Sequence, residues 1–362
     1  MKAILMLEDG KSFTGEALAV EGETIGEVIF NTSVVGYQEM MTEPANAGKI
    51  LVLTYPLIGN YGCAPKFNES KKVWLKGLVI KEKTRIFSNW QARMSFDDFV
   101  KKHKLLTISE VDTRTLTVHL RQKGEMLGII STHSSEPKEL LAKIDTSRKN
   151  RTSSLLKEIS VKKPLWWGKS KTKTKKITIA VLDLGITNSI LRQLETLGVS
   201  PILLPFNSPA QEILRFKPKG LIISDGPEED IGLDEVAANV KSLIKRLPII
   251  GISTGHQVLA RALGAKVVKM KLRHRGVNYP MYNPGSYKGE ITVQNHSCVV
   301  DADSLNKIRD VKITGYNLND RSPEEMESKK LKILGIQYLP QSPGFNEVNP
   351  VFKRFIKMIS LQ

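Results

Sequence analysis

The sequence predicts two domains, a strand-rich α+β domain at the N-terminus and an α/β doubly wound domain at the C-terminus. The first observation behind this prediction is the length of 362 residues, which suffices for two separate hydrophobic cores. The second is that short apolar runs broken by turn residues fill the first half, a pattern typical of strands. The third is that apolar runs and helical patterns alternate along the second half, as they do in parallel sheets flanked by helices.

A lysine-rich segment separates the two predicted domains. Residues 162–176 contain seven lysines and no acidic residue. This self-repelling charge without an apolar period disfavours packed structure. We therefore predict an N-terminal domain at 1–150, a basic linker at 151–176 and a C-terminal domain at 177–362.

The first predicted domain mixes strands with a few helices. Alternating or continuous apolar residues predict strands, and apolar residues at helical spacing predict helices. The predicted strands are 4–7, 27–30 and 50–54, and the predicted helices are 96–102 and 113–122.

The second predicted domain alternates strand and helix. The predicted strands are 177–182, 201–205, 220–224 and 248–250, and the predicted helices are 188–195, 210–216, 236–246 and 258–264. Sites in such sheets lie at the carboxyl ends of the strands. Two turn segments, 224–227 and 251–257, follow predicted strands and therefore mark a candidate site.

Composition and charge narrow the class of protein. A hydrophobic content of 41% and a charged content of 25% are typical of a soluble globular protein. No apolar run reaches the length of about 18 residues that a membrane span needs, and the N-terminal apolar run is too short for a signal peptide. We predict a cytoplasmic protein with no membrane association. Cys63 and Cys298 are too few and too far apart for a disulfide framework or a metal site, so no metal is predicted.

The net charge of +17 raises nucleic acid as a partner. The excess is mostly lysine, however, and it is spread along the chain apart from the segment 162–176. No recognisable nucleic-acid-reading module accompanies it. We interpret the lysine segment as a solvated linker and nucleic acid as an unlikely partner, with an anionic partner as the alternative.

The turn Gly251-Ile252-Ser253-Thr254-Gly255-His256-Gln257 has the layout of a nucleophile elbow. Its glycines allow a sharp turn, and the following helix offers N–H groups to a developing anion. A serine nucleophile at the tip, Ser253, needs a histidine base.

The three histidines beyond Ser253 are poor candidates for that base. His256 points along the elbow helix, His274 is predicted in a basic loop, and His296 is followed by 66 residues without a histidine. We therefore favour an elbow retained for its fold. A serine-dependent hydrolase remains the alternative.

The elbow resembles the Gly-Ile-Cys-Leu-Gly-His-Gln turn of class I, triad-type glutamine amidotransferases. The wider resemblance is to the small subunit of carbamoyl-phosphate synthetase and covers nearly the whole chain. It rests on Leu7-Glu-Asp-Gly10, Gly36-Tyr-Gln-Glu39, Thr54-Tyr-Pro-Leu-Ile-Gly-Asn-Tyr-Gly62, Asp112-Thr-Arg-Thr-Leu-Thr117, His274-Arg-Gly276 and Gln294-Asn-His296.

The resemblance implies an activity shared between two subunits. The small subunit hydrolyses glutamine with a cysteine, a histidine and a carboxylate, and passes ammonia through a tunnel to a large subunit. The large subunit uses ATP, magnesium and bicarbonate to make carbamoyl phosphate for pyrimidine and arginine biosynthesis. The resemblance thus implies a large-subunit partner and no cofactor in this chain.

The sequence departs from the family at every triad position. Ser253 replaces the cysteine, Leu339 the histidine and Gln341 the glutamate. Leucine cannot accept a proton, and a neutral amide cannot stabilise an imidazolium. We therefore predict that the chain's own glutaminase is inactive.

The glutamine-binding positions that the resemblance implies are also altered. Glu228 replaces a glycine that lines the oxyanion hole, where its charge opposes an oxyanion. Ala45 replaces a pocket serine, and Ser297 and Cys298 replace a Gly-Phe pair. The remaining positions are Gly226, Thr254, Gln257 and Asn295. Glutamine binding is therefore doubtful.

These observations favour a scaffold or regulatory subunit of a carbamoyl-phosphate synthetase whose large subunit uses free ammonia. The first alternative is residual or altered hydrolysis that depends on Ser253. The second is a stand-alone binding protein with an anionic partner.

Overall fold

The computed structural model describes residues 1–149, 154–168, 177–286, 289–344 and 347–360. The chain divides into two compact units, Met1–Ser153 and Ser154–Gln362. The first contains nine strands and four helices over its described residues. The strands are β1 (Lys2–Leu7), β2 (Ser12–Leu18), β3 (Glu23–Asn31), β4 (Lys49–Leu53), β5 (Leu57–Ile58), β6 (Gly77–Val79), β7 (Glu82–Lys83), β8 (Leu106–Ser109) and β9 (Met126–Ser131); the helices are α1 (Tyr37–Thr42), α2 (Phe96–Lys102), α3 (Thr113–Lys123) and α4 (Pro137–Lys149).

The strands of the first unit form a closed barrel in the order β1-β2-β8-β6-β4-β3-β9. Pairing is parallel between β3 and β4, β4 and β6, and β6 and β8, and antiparallel elsewhere around the barrel. Alternation of side chains gives β4 two buried faces, because Val52 packs in one apolar cluster and Leu51 in another. The prediction of a strand-rich domain with helices near 96–102 and 113–122 is confirmed.

The second unit contains ten strands and seven helices over its described residues. The strands are β10 (Leu165–Trp166), β11 (Thr178–Asp183), β12 (Ser200–Pro205), β13 (Gly220–Ile223), β14 (Ile249–Ile252), β15 (Val267–Tyr282), β16 (Gly289–Val300), β17 (Lys312–Asn317), β18 (Pro323–Ser328) and β19 (Ile333–Ile336); the helices are α5 (Leu156–Ile159), α6 (Asn188–Thr196), α7 (Ala210–Arg215), α8 (Leu233–Lys241), α9 (Thr254–Leu263), α10 (Ala302–Asn306) and α11 (Pro350–Ser360).

One sheet organises the second unit, in the order β10-β12-β11-β13-β14-β19-β18-β17-β15-β16. Strands β12, β11, β13, β14 and β19 are parallel, and the others extend the sheet antiparallel. Alternate residues of β11 enter two cores, one with α8 and α9 and the other with α6 and α11. Helices therefore cover both faces, and the predicted doubly wound domain is confirmed. No helix in the described part of the chain is long and apolar enough to cross a membrane.

Part of the predicted linker 151–176 is ordered in the second unit. Leu156 is fully buried in its core, and the Leu156 N–H donates to Asp230 Oδ2 at 3.1 Å. Leu165 and Trp166 pair with β12. The apolar residues among the lysines thus find partners that a charge pattern does not reveal. Residues 169–176, the densest part of the lysine segment, lie outside the described residues.

Three other details differ from the sequence prediction. Helix α9 begins at Thr254, directly after Ser253 and within the elbow segment, rather than at residue 258, and α8 is Leu233–Lys241 rather than 236–246. His274 lies on β15 rather than in a loop, opposite His296 on β16. The basic side chains around His274 mask a strand whose pairing partner is distant in sequence.

Candidate functional site

The elbow joins β14 to α9 through Ser253, whose backbone has φ 52° and ψ −109°. A positive φ is uncommon for a residue with a side chain and marks local strain. The close approach of α9 to the sheet requires glycine next to it, because a Cβ on Gly255 would lie 2.1 Å from the Ile223 carbonyl oxygen. The predicted strand–turn–helix layout is present.

Ser253 is 1% exposed, and no histidine side chain is hydrogen-bonded to its Oγ. Its Oγ makes no hydrogen bond of good geometry, although it faces Asp225 closely enough to favour that residue's carboxylate form. His256 is fully buried, and burial lowers its pKa to about 3. The Ser253 hydroxyl is therefore not hydrogen-bonded to any imidazole.

The carboxyl group of Asp225 accepts a hydrogen bond from the backbone N–H of Thr254, the residue that follows the elbow serine. The Thr254 N–H donates to Asp225 Oδ1 at 3.1 Å, and the Thr254 hydroxyl donates to the Gly226 carbonyl at 2.6 Å. In an elbow enzyme that N–H stabilises the oxyanion. Burial raises the pKa of Asp225, and the Thr254 N–H opposes the rise. Asp225 was not singled out from the sequence, although it lies in the turn segment 224–227 that marks the candidate site.

The segment that carries Leu339 and Gln341 leaves the sheet beside the elbow. Strands β14 and β19 are parallel, with Ile252 opposite Ile336, and the Ser253 N–H donates to the Ile336 carbonyl at 2.7 Å. Leu339 is buried and its N–H donates to the Val293 carbonyl at 2.9 Å. Gln341 is exposed. The structure thus places the three predicted triad positions at neighbouring strand ends, with no ionisable side chain at 339 or 341.

Glu228 reaches from the loop after β13 to three hydrogen-bond donors. Its Oε1 accepts from Gln257 Nε2 at 2.7 Å and from the Cys298 N–H at 3.2 Å, and its Oε2 accepts from the Ser297 N–H at 2.5 Å. Gln257 Nε2 also donates to the Cys298 carbonyl at 3.0 Å. Four of the predicted glutamine-binding positions therefore meet at one carboxylate.

Arg275 lies under this group and is only 3% exposed. Its guanidinium donates to Asn295 Oδ1 at 2.5 Å and to Ser297 Oγ at 2.6 Å. It stands opposite Asn295 in the β15–β16 ladder. Sequence reasoning missed its role, because only the strand register turns this arginine toward the pocket.

The remaining predicted positions fall in different places. A Cβ on Gly226 would lie 2.1 Å from the Leu184 carbonyl oxygen, so glycine is required there. Burial raises the pKa of the Cys298 thiol to about 12, so this cysteine is a neutral thiol at pH 7. Ala45 is buried in the single turn Pro44–Asn46 of the first unit.

A buried group of His274, His296 and Glu324 has the residue types of a metal site, with ligand atoms within 4.8 Å of one another. Glu324 accepts from Asn317 Nδ2 and Gln294 Nε2, both at 2.8 Å, so both its oxygens already hold protein donors. Burial raises the pKa of Glu324 to about 7, which weakens it further as a metal ligand. The arrangement fits an internal hydrogen-bond network.

Sequence comparisons place both units. The carbamoyl-phosphate synthase small chain CPSase domain matches residues 5–130, and the class I glutamine amidotransferase domain matches residues 180–358. The carbamoyl phosphate synthase small chain of Syntrophotalea carbinolica is 37% identical over 370 residues, covering 99% of this chain and 98% of that protein. The chloroplastic small chain of Oryza sativa subsp. japonica is 35% identical over 99% of this chain and 82% of that protein.

Among solved structures, a glutamine amidotransferase from Thermotoga maritima is similar to 52% of this chain and 84% of its own, with 14% identity and a TM-score of 0.36. The small chain of Aquifex aeolicus is 37% identical over 98% of both proteins. The chain therefore belongs to the carbamoyl phosphate synthase small chain family, with a class I glutamine amidotransferase domain in its second unit.

Proposed function

We propose that this chain is the small subunit of a carbamoyl-phosphate synthetase, that it has lost glutamine hydrolysis, and that it acts as a scaffold or regulatory subunit. Its partner is a large subunit that binds ATP and magnesium and uses free ammonia. The observation that carries the proposal is Glu228, whose carboxylate takes the Gln257, Ser297 and Cys298 donors.

The side chains at the predicted triad positions cannot carry out the proton transfers of glutamine hydrolysis. Hydrolysis of the glutamine amide needs a deprotonated nucleophile, a base that takes its proton, and an acid that protonates the leaving ammonia. Ser253 is a neutral hydroxyl at pH 7, and neither Leu339 nor Gln341 can exchange a proton. The site therefore supplies neither an activated nucleophile nor an acid that protonates the leaving ammonia.

The negative charge of a tetrahedral intermediate would also be opposed. The Thr254 N–H is engaged by Asp225, and a second carboxylate, Glu228, lies in the same pocket. A carboxylate at an oxyanion donor repels the developing charge instead of stabilising it. Nucleophile, base and oxyanion stabilisation are all disfavoured together.

A coupled assay of the assembled two-subunit complex tests the proposal. We expect carbamoyl phosphate formation with ammonium, and a glutamine-supported rate about 10⁴-fold or more lower, as when a catalytic triad is removed. The measurement compares the two nitrogen sources at saturating ATP, magnesium and bicarbonate. Comparable rates with glutamine and ammonium would contradict the loss of glutaminase.

The strained elbow backbone at Ser253 favours a second candidate, a slow serine-dependent amidase. We expect Ser253→Ala to leave any measured ammonia release from glutamine unchanged, because no base activates the hydroxyl. Ammonia release is measured with the purified chain at neutral pH, with the wild type as reference. A drop of tenfold or more in the variant would favour the amidase.

A further inference from the structure

We propose that the Glu228 pocket is a carboxylate receptor that the chain fills with its own side chain, and that removing this side chain opens the receptor to a small free monocarboxylate. The inference deepens the proposed function and rests on it in one respect: a pocket filled from within has no room for substrate. Glu228 then acts as a tethered plug.

The donors are arranged for a carboxylate. Two consecutive backbone N–H groups, those of Ser297 and Cys298, point at the two oxygens of one carboxyl group. The Gln257 amide adds a third donor to Oε1. Because these donors come from β16 and α9, they are held by the sheet and not by the loop that carries Glu228. The receptor therefore persists when the Glu228 side chain is absent.

The electrostatics favour an anion at this place. The buried Arg275 guanidinium binds the Ser297 hydroxyl and the Asn295 side chain, so a positive charge lies beside the residue that supplies one of the two backbone donors. A buried cation is costly unless an anion compensates it. Of the neighbouring acids, Glu229 pairs with Lys269 at 2.6 Å. Glu228 is bound by the Ser297 N–H, and the hydroxyl of the same serine is bound by Arg275, so this carboxylate lies near the buried cation.

The tether explains why a free ligand would not compete. A side chain on a short loop is present at a high effective concentration, of millimolar order or more. Replacing Glu228 by alanine removes both the tether and the carboxylate, and leaves a space that matches acetate or formate. Replacing it by glutamine keeps the volume filled, removes the charge and replaces one acceptor oxygen by an NH2 group that cannot accept from these donors.

Thermal denaturation and calorimetry of the full chain test the plug. Wild type, Glu228→Ala and Glu228→Gln are titrated with sodium acetate, and sodium chloride serves as the ionic-strength control. We expect a saturable, acetate-specific rise in the Tm of Glu228→Ala, about 3 °C at ten times Kd. Wild type and Glu228→Gln are expected to respond to acetate no more than to chloride.

A purely structural role for Glu228 lowers the Tm of the alanine variant but gives no response specific to acetate. Absence of that response, or an equal response of the wild type, would overturn the proposal. If Glu228→Ala is recovered unfolded, its refolding yield in acetate against chloride reads out the same receptor, and equal yields overturn the proposal.

The outcome of the acetate experiment can be distinguished from the outcome of the coupled assay that tests the proposed function. Glutamine-supported synthesis by the wild-type complex would refute the loss of hydrolysis whatever acetate does. Failure of Glu228→Ala to bind acetate would refute the plug, while the loss of hydrolysis would still be supported by Leu339 and Gln341. A titration of Glu228→Ala with glutamine then shows whether a whole amino acid binds where acetate binds.

Discussion

We expect Gly255→Ala to lower the free energy of unfolding of the second unit by about 3 kcal/mol. The added Cβ would lie 2.1 Å from the Ile223 carbonyl oxygen, 2.6 Å from its carbon and 2.9 Å from the Ser224 carbonyl oxygen. All three atoms are backbone, so relief requires α9 to move away from the end of β13. This cost exceeds the gain of about 1 kcal/mol that alanine brings to a helix position.

The measurement is denaturant unfolding of the full chain, with hydrogen exchange by mass spectrometry to identify the unit affected. Gly344→Ala is the matched control, because its Cβ would meet only the side chain of Glu347, whose carboxyl end can turn away. We expect the control to lie within about 0.5 kcal/mol of wild type. If Gly255→Ala also changed the free energy of unfolding by no more than about 0.5 kcal/mol, α9 would not approach the end of β13 as closely as the structure shows.

The elements that the sequence predicted well are those with local signals. The alternation of β11, α6, β12, α7 and β13 follows from apolar runs and helical spacing, and the elbow from its glycines. These signals are complete within a few residues. They therefore survive without knowledge of the rest of the fold.

The barrel of the first unit was not predicted as a barrel, because closure depends on which strands pair. Strand β3 pairs with β9, about 100 residues later, and no local pattern encodes that choice. The same limit applies to the pocket. Glu228 and Ser297 are 69 residues apart, so the sequence identified a charge in the loop but not the donors that receive it.

This distance changes the interpretation of Glu228. From the sequence it is a repulsive charge added to an oxyanion hole. In the structure the carboxylate is satisfied at both oxygens, by Gln257 and by the Ser297 and Cys298 N–H groups. A half-buried carboxylate with hydrogen bonds at both oxygens stabilises the pocket that it fills. The loop after β13 is therefore joined to β16 and α9 by an internal polar network.

The second large effect on stability is expected from removing Arg275, the cation of this network. We expect Arg275→Met to lower the free energy of unfolding by about 3 kcal/mol, because it removes a guanidinium that is 3% exposed and hydrogen-bonded to two side chains. It also leaves Asn295 Oδ1 and Ser297 Oγ without the guanidinium that binds them. Arg215→Met, at an exposed position of α7, is the control and should lie within about 0.5 kcal/mol of wild type.

A double-mutant cycle with Glu228→Gln decides whether Arg275 and Glu228 act on each other. If the two charges compensate, the variant with both substitutions loses less stability than the sum of the single losses, by at least about 1 kcal/mol. Denaturant unfolding of the full chain provides the four free energies. Strict additivity would mean that Arg275 is balanced by its polar partners alone. In that case Glu228 would be held by the backbone N–H groups and Gln257 without help from the arginine.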